Sequence, residues 1–582
     1  MTLAPPRGTP KPSGSPAAGV DASTQQLLDS TVAGLKAHRG DWVRVSVGER
    51  IALLDELIHG FLAVADRWTA ACLAAEGLDP SHPSSGEEAL VGPYFILRNL
   101  RLLKKSLQGI AADGAPRIPG PVKTLPNGQV SARVFPQDLY DRLFYTGVTA
   151  EVWMQPGVSA AELPATQAVA YQKKDAGGVC LVLGAGNVSS IGPMDALYKL
   201  FVDDRVVVYK VHPVNVYLGP LLEEGFRALI DRGFLRQAYG GAAEGAYLCR
   251  HEDVDEIHIT GSDKTYEAIV FGSGPEGEAR KRDNRPVITK PISAELGNVS
   301  PVIVVPGPWS EGDLAYHAEN LVTMLTNNAG FNCNATRVIV THAGWSQRGA
   351  LLDRIQRLLA RVPTRKAYYP GAQDRYEAFL HEHPEAKVFG DAQGDRLAWA
   401  FIPGLDAARR DDICYSTEAF VGLFGEAPLV AASAADFVDQ AVAFCNDRLW
   451  GTLNATLLVH PKSLADPAVA QAVERAIARL RYGTVAINHW AAIGYGLVIT
   501  PWGAYPGHER TDIQSGTGVV HNTLMFSRVE KSVVRAPFRV LPKPVWFVTH
   551  RTAHKLTPKL SRFEAAPSPA KLPGIFALAL RG

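Results

Sequence analysis

Apolar residues recur at helical spacing from Asp21 to about Gly77, as Leu27, Leu28, Val32 and Leu35 and then Ile51, Leu53, Leu54, Leu57, Ile58, Phe61, Leu62 and Val64. This pattern predicts two or three amphipathic helices. A further helix is predicted over about 87–110, with Leu97, Leu100, Leu102, Leu103 and Leu107 on its buried face. Prolines interrupt the pattern over 116–136, where Asn127-Gly128 is a turn signal. Residues 149–155 and 167–173 alternate like a pair of exposed strands around a Pro-Gly turn.

From there the period changes to short apolar runs between helical segments. Runs at 179–183, 206–209 and 256–259 are separated by helical stretches at 194–202 and 221–231, and a second series has runs at 302–305, 338–340, 457–459 and 485–487. Strands alternating with helices predict parallel sheets covered on both faces. The fold class expected is α/β, with two parallel-sheet, Rossmann-like domains. A strand at 527–538 is expected to pair with 149–173 as a protruding arm that joins subunits into a homodimer or homotetramer. The domain plan is 1–20 as a disordered lead-in, 21–148 with 174–294 as a cofactor-binding domain, and 149–173 with 523–538 as the arm. Residues 295–522 form a catalytic domain and 539–582 a C-terminal extension. The charged run 276–285 reads as a solvated loop ahead of a strand at Val287.

A length of 582 residues is too great for one simple core and agrees with this plan. A net charge of +1 removes any global attraction to nucleic acid, so none is expected as a partner. The six cysteines, Cys72, Cys180, Cys249, Cys333, Cys414 and Cys445, show no CxxC spacing, which argues against a metal centre or disulfide framework and for a reducing cytoplasm. The Pro-, Gly- and Ser-rich lead-in lacks the apolar centre of a signal peptide, and no apolar run approaches the roughly 20 residues that span a bilayer.

The candidate chemistry centres on Asn327-Asn328-Ala329-Gly330-Phe331-Asn332-Cys333, followed by Arg337 and the apolar run Val338-Ile339-Val340. A cysteine after a glycine and before a strand is a place to hold a thiolate on a turn. A carboxylate upstream, Glu295 in Glu295-Leu296-Gly297, completes a nucleophile and base for covalent acyl chemistry. Together the two stretches resemble the aldehyde dehydrogenase superfamily. The resemblance implies that the Cys333 thiolate attacks an aldehyde, hydride passes to NAD or NADP, and a thioester is left for water activated by Glu295.

It also implies that Asn187, in Gly184-Ala185-Gly186-Asn187, donates to the oxyanion formed on addition. Lys210, at the end of a strand, is then placed to bind a ribose hydroxyl or 2'-phosphate. Gly261 and Ser262 are placed to meet a pyrophosphate, and Glu418 and Phe420 to bracket the nicotinamide ribose. Gly184-x-Gly186 is not the dinucleotide fingerprint, because Ser189 stands at the third glycine position. Pro213 stands where NAD-preferring relatives carry a glutamate, which leaves NADP open. Residues 187–190 and 210–213 look somewhat like the branch that transfers the acyl group to CoA, whereas Glu295 favours hydrolysis; a catalytically silent protein on the same fold is the third reading. Pro501-Trp502-Gly503-Ala504-Tyr505 resembles the turn that closes the family's catalytic domain. Small residues after Asn187 (Val188, Ser189, Ser190, Gly192) suggest a roomy tunnel for a long or bulky aldehyde.

The segment 539–562 carries six Lys or Arg and no acidic residue, interleaved with Trp546, Phe547, His550 and His554. It reads as an arm packed on a neighbouring subunit or over its own substrate entrance, with contact to an anionic membrane as the alternative.

Overall fold

The computed structural model describes residues 19–173 and 176–582, so of the expected lead-in only Gly19 and Val20 lie within the described residues. Asp21 caps the helix Ala22–Trp42 by accepting from the Thr24 N–H, and Ser46 with Glu49 forms a capping box at the start of Val47–Glu76. The apolar stripes of these helices, among them Leu28, Val32, Leu35, Leu54, Leu57, Phe61, Val64 and Trp68, are buried in one core with the smaller sheet. The third helical stretch begins with a π-turn at Leu90–Tyr94 and continues as Phe95–Asp113.

The smaller sheet has six strands in the order Gly516–Thr517, Ile292–Leu296, Glu256–Gly261, Val179–Leu183, Val206–Lys210, Leu235–Ala238. The last five run parallel, and Gly516–Thr517 adds antiparallel at one edge. The larger sheet has eleven strands. Its parallel centre contains Thr484–Ile487, Asn454–Leu458, Ser300–Val304, Thr336–His342 and Leu423–Leu429. The architecture is therefore α/β with two mainly parallel sheets, as the sequence pattern requires. The chain crosses from one sheet to the other between Leu296 and Ser300, and it is at this crossing that the site lies.

Four expectations change. Residues 167–173 are not a strand: Ala168 sits at φ 49° and the chain turns into the short helix Val169–Gln172, leaving one bridge from Gln167 to Phe526. The charged run is not a loop but the helix Gly274–Arg282, stabilised by an Arg280–Glu276 ion pair one turn apart. The strand that follows it lies at Ile292–Leu296 rather than at Val287.

The strand pair expected of the arm is present, Thr149–Met154 against Val529–Arg535, but it does not protrude. Val529–Arg535 runs parallel to Thr484–Ile487 and Thr149–Met154 antiparallel to Val130–Phe135, so both are interior strands of the larger sheet of their own chain. Val130–Phe135 and Val122–Thr124 form the hairpin that turns near Asn127-Gly128.

The extension packs on its own chain. Helix Ala553–Ala565 brings Glu564, 1% exposed, against Arg98 (2.9 Å) and Arg101 (2.6 Å), while Phe563 meets Tyr140 and Phe144 edge-on at 5.0 Å each. A second helix, Leu572–Ala579, lies over the first. Among the described residues no helix is long and apolar enough to cross a membrane.

Candidate active site

Cys333 stands between the turn Asn327–Gly330 and the strand Thr336–His342. Three successive residues of the turn have left-handed backbone, Asn328 (φ 51°), Ala329 (φ 53°) and Gly330 (φ 84°). At Gly330 only glycine fits, because a Cβ would lie 2.5 Å from the Val421 backbone. Two non-glycine residues in this region cost on the order of 1–3 kcal/mol each and persist only where the surroundings fix them. Here the surroundings do so. Glu87 accepts the Asn328 N–H at 2.5 Å, the Arg337 guanidinium donates to the carbonyls of Gly330 (2.6 Å) and Val421 (2.6 Å), and Asn332 donates to Asn327 at 2.9 Å. Glu87 is itself paired with Arg365, which also binds Glu76.

The same network holds Asn187. Its Nδ2 donates to the Phe331 carbonyl at 2.9 Å, and its own carbonyl accepts from Asn328 Nδ2 (2.6 Å) and from the Tyr368 hydroxyl (2.9 Å). The nucleophile loop and the strand end that carries Asn187 are therefore one hydrogen-bonded unit, with the second amide hydrogen of Asn187 uncommitted.

Glu295 lies on the strand Ile292–Leu296 and is 5% exposed; Trp502 Nε1 donates to it at 3.0 Å. Burial pushes its carboxyl up to about 8, helped by the nearby Asp195 and Glu418 charges and opposed by the hydrogen bonds from Trp502 and the Cys333 thiol. Burial, then the Glu295 and Glu418 carboxylates, push the Cys333 thiol well above its usual range. Both shifts favour the protonated side chains, against the thiolate expected from the turn alone.

Two cavities meet at Cys333. An open groove, about 2110 Å³ to its mouth, is lined by all eight residues singled out in the sequence: Asn187, Lys210, Gly261, Ser262, Glu295, Cys333, Glu418 and Phe420. Ser262 caps helix Asp263–Phe271, and Lys210 Nζ donates to the Gly240 carbonyl at 2.7 Å while burial lowers its ammonium to about 8. Glu418 has a buried Oε1 without a hydrogen-bond partner, and burial pushes its carboxyl up to about 7. A Cβ at Gly297 would lie 2.1 Å from Glu418 Oε2, so that glycine clears the place of the carboxylate. Phe420, at φ 46°, packs edge-on against Tyr369 at 5.1 Å.

The second cavity, a narrow one, reaches Cys333 through walls of Leu90, Tyr94, Phe95, Tyr145, Val188, Ile191, Trp490, Ile493, Tyr495 and Trp546. Of the small residues after Asn187 only Val188 lines this tunnel, whose wall is rich in aromatic side chains. Gly192 packs under the Tyr209 ring, where a Cβ would meet the hydroxyl at 2.3 Å, and Ser190 bonds Tyr495 at 2.9 Å. Trp546 brings the C-terminal extension into the tunnel wall. Sequence reasoning had Trp502 only as part of a turn and missed Tyr368, Asn328 and Glu87 as supports of the site; no local pattern marks them.

Comparison with known proteins gives the same class. The model of the Aldehyde dehydrogenase family matches residues 144–373. N-succinylglutamate 5-semialdehyde dehydrogenase of Novosphingobium aromaticivorans is 25% identical over 318 residues, covering 50% of this chain and 60% of that protein. Human 4-trimethylaminobutyraldehyde dehydrogenase is 30% identical over 177 residues, covering 29% and 32%. The matched stretch thus spans less than two thirds of either relative.

The fold is that of the NAD-dependent aldehyde dehydrogenase from Sinorhizobium meliloti (TM-score 0.58, 18% identity, 89% of this chain and 88% of that one). It is likewise that of the NADP-dependent glyceraldehyde-3-phosphate dehydrogenase from Bacillus halodurans, solved with NADP (TM-score 0.57, 17% identity, 88% and 91%). The chain is thus similar to the aldehyde dehydrogenase family over residues 144–373 and shares the fold of solved aldehyde dehydrogenases over most of its length.

Proposed function

We propose that the protein oxidises an uncharged, apolar aldehyde to the carboxylic acid, with NAD or NADP as hydride acceptor. The observation that carries this reading is that Cys333 and Glu295 line one nucleotide-sized groove, and that an apolar tunnel meets that groove at Cys333. The groove suits the dinucleotide: Ser262 stands at a helix start, Lys210 at a strand end, and Glu418 has a free buried acceptor for a ribose hydroxyl. The nicotinamide, when bound, takes up hydride from the substrate carbon.

The chain's own residues do the rest. Glu295 takes the thiol proton as Cys333 Sγ bonds to the aldehyde carbon, and the new oxyanion is met by Asn187 Nδ2 and the Cys333 N–H. Loss of hydride leaves an acyl thioester on Cys333. Glu295 releases the thiol proton to solvent and then deprotonates the water that attacks the thioester; the C–S bond breaks, and the departing Cys333 thiolate takes the proton back from Glu295 as the acid leaves.

Around Lys210 the groove wall is His212, Pro213, Gly241, Ala242, Gly245 and Arg250, and Glu244 is occupied by the Gly241 N–H at 2.6 Å. Among the described residues no carboxylate lines this part of the wall, which supports use of NADP as well as NAD. A homodimer or homotetramer in the cytoplasm remains our reading. The edge strand Val122–Thr124, exposed throughout, offers unpaired backbone to a second copy, and the six free cysteines suit a reducing compartment.

The test is absorbance of reduced nicotinamide on mixing the protein with a medium-chain aldehyde and either cofactor, with and without CoA, followed by product identification. Free acid without CoA, abolished by Cys333→Ala, is expected. Reduction that requires CoA and yields acyl-CoA would assign the thioester to the acylating reaction instead.

A further inference from the structure

The helix Leu572–Ala579 contains no polar side chain: its sequence is Leu-Pro-Gly-Ile-Phe-Ala-Leu-Ala. A helix that is apolar all round belongs in an interior, yet this one buries only Ile575. Pro573, Ala577 and Leu580 are exposed at helical spacing, with Leu580 at 74%. Beside it, helix Leu139–Phe144 turns Tyr140 and Phe144 inward onto Phe563 and leaves Leu139 (66%) and Leu143 (40%) in solvent. The rings of Phe144 and Phe576, 5.9 Å apart, join the two helices into one apolar face.

The exposed charge of the extension itself has one sign. Residues 539–582 hold eight Lys or Arg and a single acid, Glu564, which is buried against Arg98 and Arg101. Arg551, Lys555, Lys559 and Arg581 are exposed, and among the described residues none of them has a carboxylate within ion-pair distance. Lys555 and Lys559 lie one turn apart on the same side of their helix. A symmetric second copy would set these cations against one another, whereas an anionic lipid surface pairs with all of them.

We propose that this face docks on an anionic lipid bilayer, with Leu139, Leu143, Ala577 and Leu580 entering the headgroup boundary and the lysines and arginines meeting lipid phosphates. The docked face adjoins the tunnel. Phe144 and Val545 belong to the cluster beneath it, and the next residues along the chain, Tyr145 and Trp546, line the tunnel to Cys333. Delivery of a lipid-soluble aldehyde from the bilayer to Cys333 rests on the function proposed above; docking itself does not.

The experiment is co-sedimentation of the full chain with vesicles of phosphatidylcholine alone and of phosphatidylcholine with added phosphatidylserine. Binding is expected to the anionic vesicles, to be reversed by salt, and to fall roughly fivefold for each cation removed in Lys555→Gln and Lys559→Gln. Leu580→Asp is expected to abolish it while leaving the unfolding temperature and the turnover of a short, water-soluble aldehyde unchanged. Equal binding to both vesicle types, no binding to either, or a Leu580→Asp protein that binds as before would overturn the proposal. So would a dimer in sedimentation velocity that Leu580→Asp dissociates in the absence of lipid binding. Vesicle binding without reduced nicotinamide in any assay would sink the dehydrogenase reading and leave the docking intact.

Discussion

Cys333 and Glu295 hold their protons more tightly than free side chains do, because Glu295 is buried, Cys333 is half-buried beside it, and each carboxylate near the thiol opposes a second negative charge. If Glu295 is the base of the proposed reaction, kcat/KM is expected to rise through about pH 8 and to level off above it. The linked stability effect has the opposite direction. A carboxyl whose pKa in the fold exceeds its unfolded value contributes stability below the unfolded value and loses it as pH climbs to about 8. Glu295→Gln should accordingly melt at a higher temperature than the parent above pH 8, on the order of 2–4 kcal/mol more stable. The same variant should release one equivalent of reduced nicotinamide and then stall as thioester; undiminished steady-state turnover would remove Glu295 from the reaction. Cys333 and Glu295, the pair assigned the reaction under the proposed function, could be singled out because each sits in a short local pattern. Trp502, 207 residues from Glu295, and Tyr368, 181 residues from Asn187, could not, since only the fold makes them neighbours.

The helices and strands that were read correctly have one apolar face or an unbroken apolar run, as in Val47–Glu76 and Thr336–His342. Those read wrongly have a local cause that alternation does not encode. Ala168 adopts a left-handed turn that ends any strand at 167–173, and Gly274–Arg282 is a surface helix whose Gly277 lies so near Gly272 that a Cβ would meet its carbonyl at 2.1 Å. At this scale Glu564 on Ala553–Ala565 is the sharpest probe. Burial raises its carboxyl, but Arg101 and Arg98 outweigh that and hold it below its usual value. Glu564→Ala leaves the guanidinium of Arg98, 1% exposed, with Asp141 as its remaining carboxylate partner. It should cost about 3–5 kcal/mol in chemical denaturation. Because this carboxyl is depressed, its contribution is present above the unfolded value near pH 4.5 and should disappear as pH falls through the lower folded one.

Across the molecule, sequence patterning yielded the two sheets and their α/β order but not which chain each strand would join, since an arm pairs with the same backbone groups whether the sheet is its own or a neighbour's. The eleven-stranded sheet closes within the chain and ends in two short exposed edges, Val122–Thr124 and Lys387–Phe389. The extension is part of this closed body. Removing 539–582 should broaden or split thermal unfolding and raise the KM for an apolar aldehyde at least tenfold through loss of the Trp546 wall, with little change in the KM for cofactor. Groove and tunnel approach Cys333 as separate passages. Neither reactant then stands in the other's doorway: cofactor and aldehyde can arrive in either order, and the acid can depart while the reduced dinucleotide is still in place. Initial-rate plots should intersect, and product inhibition should reveal no compulsory sequence of arrival.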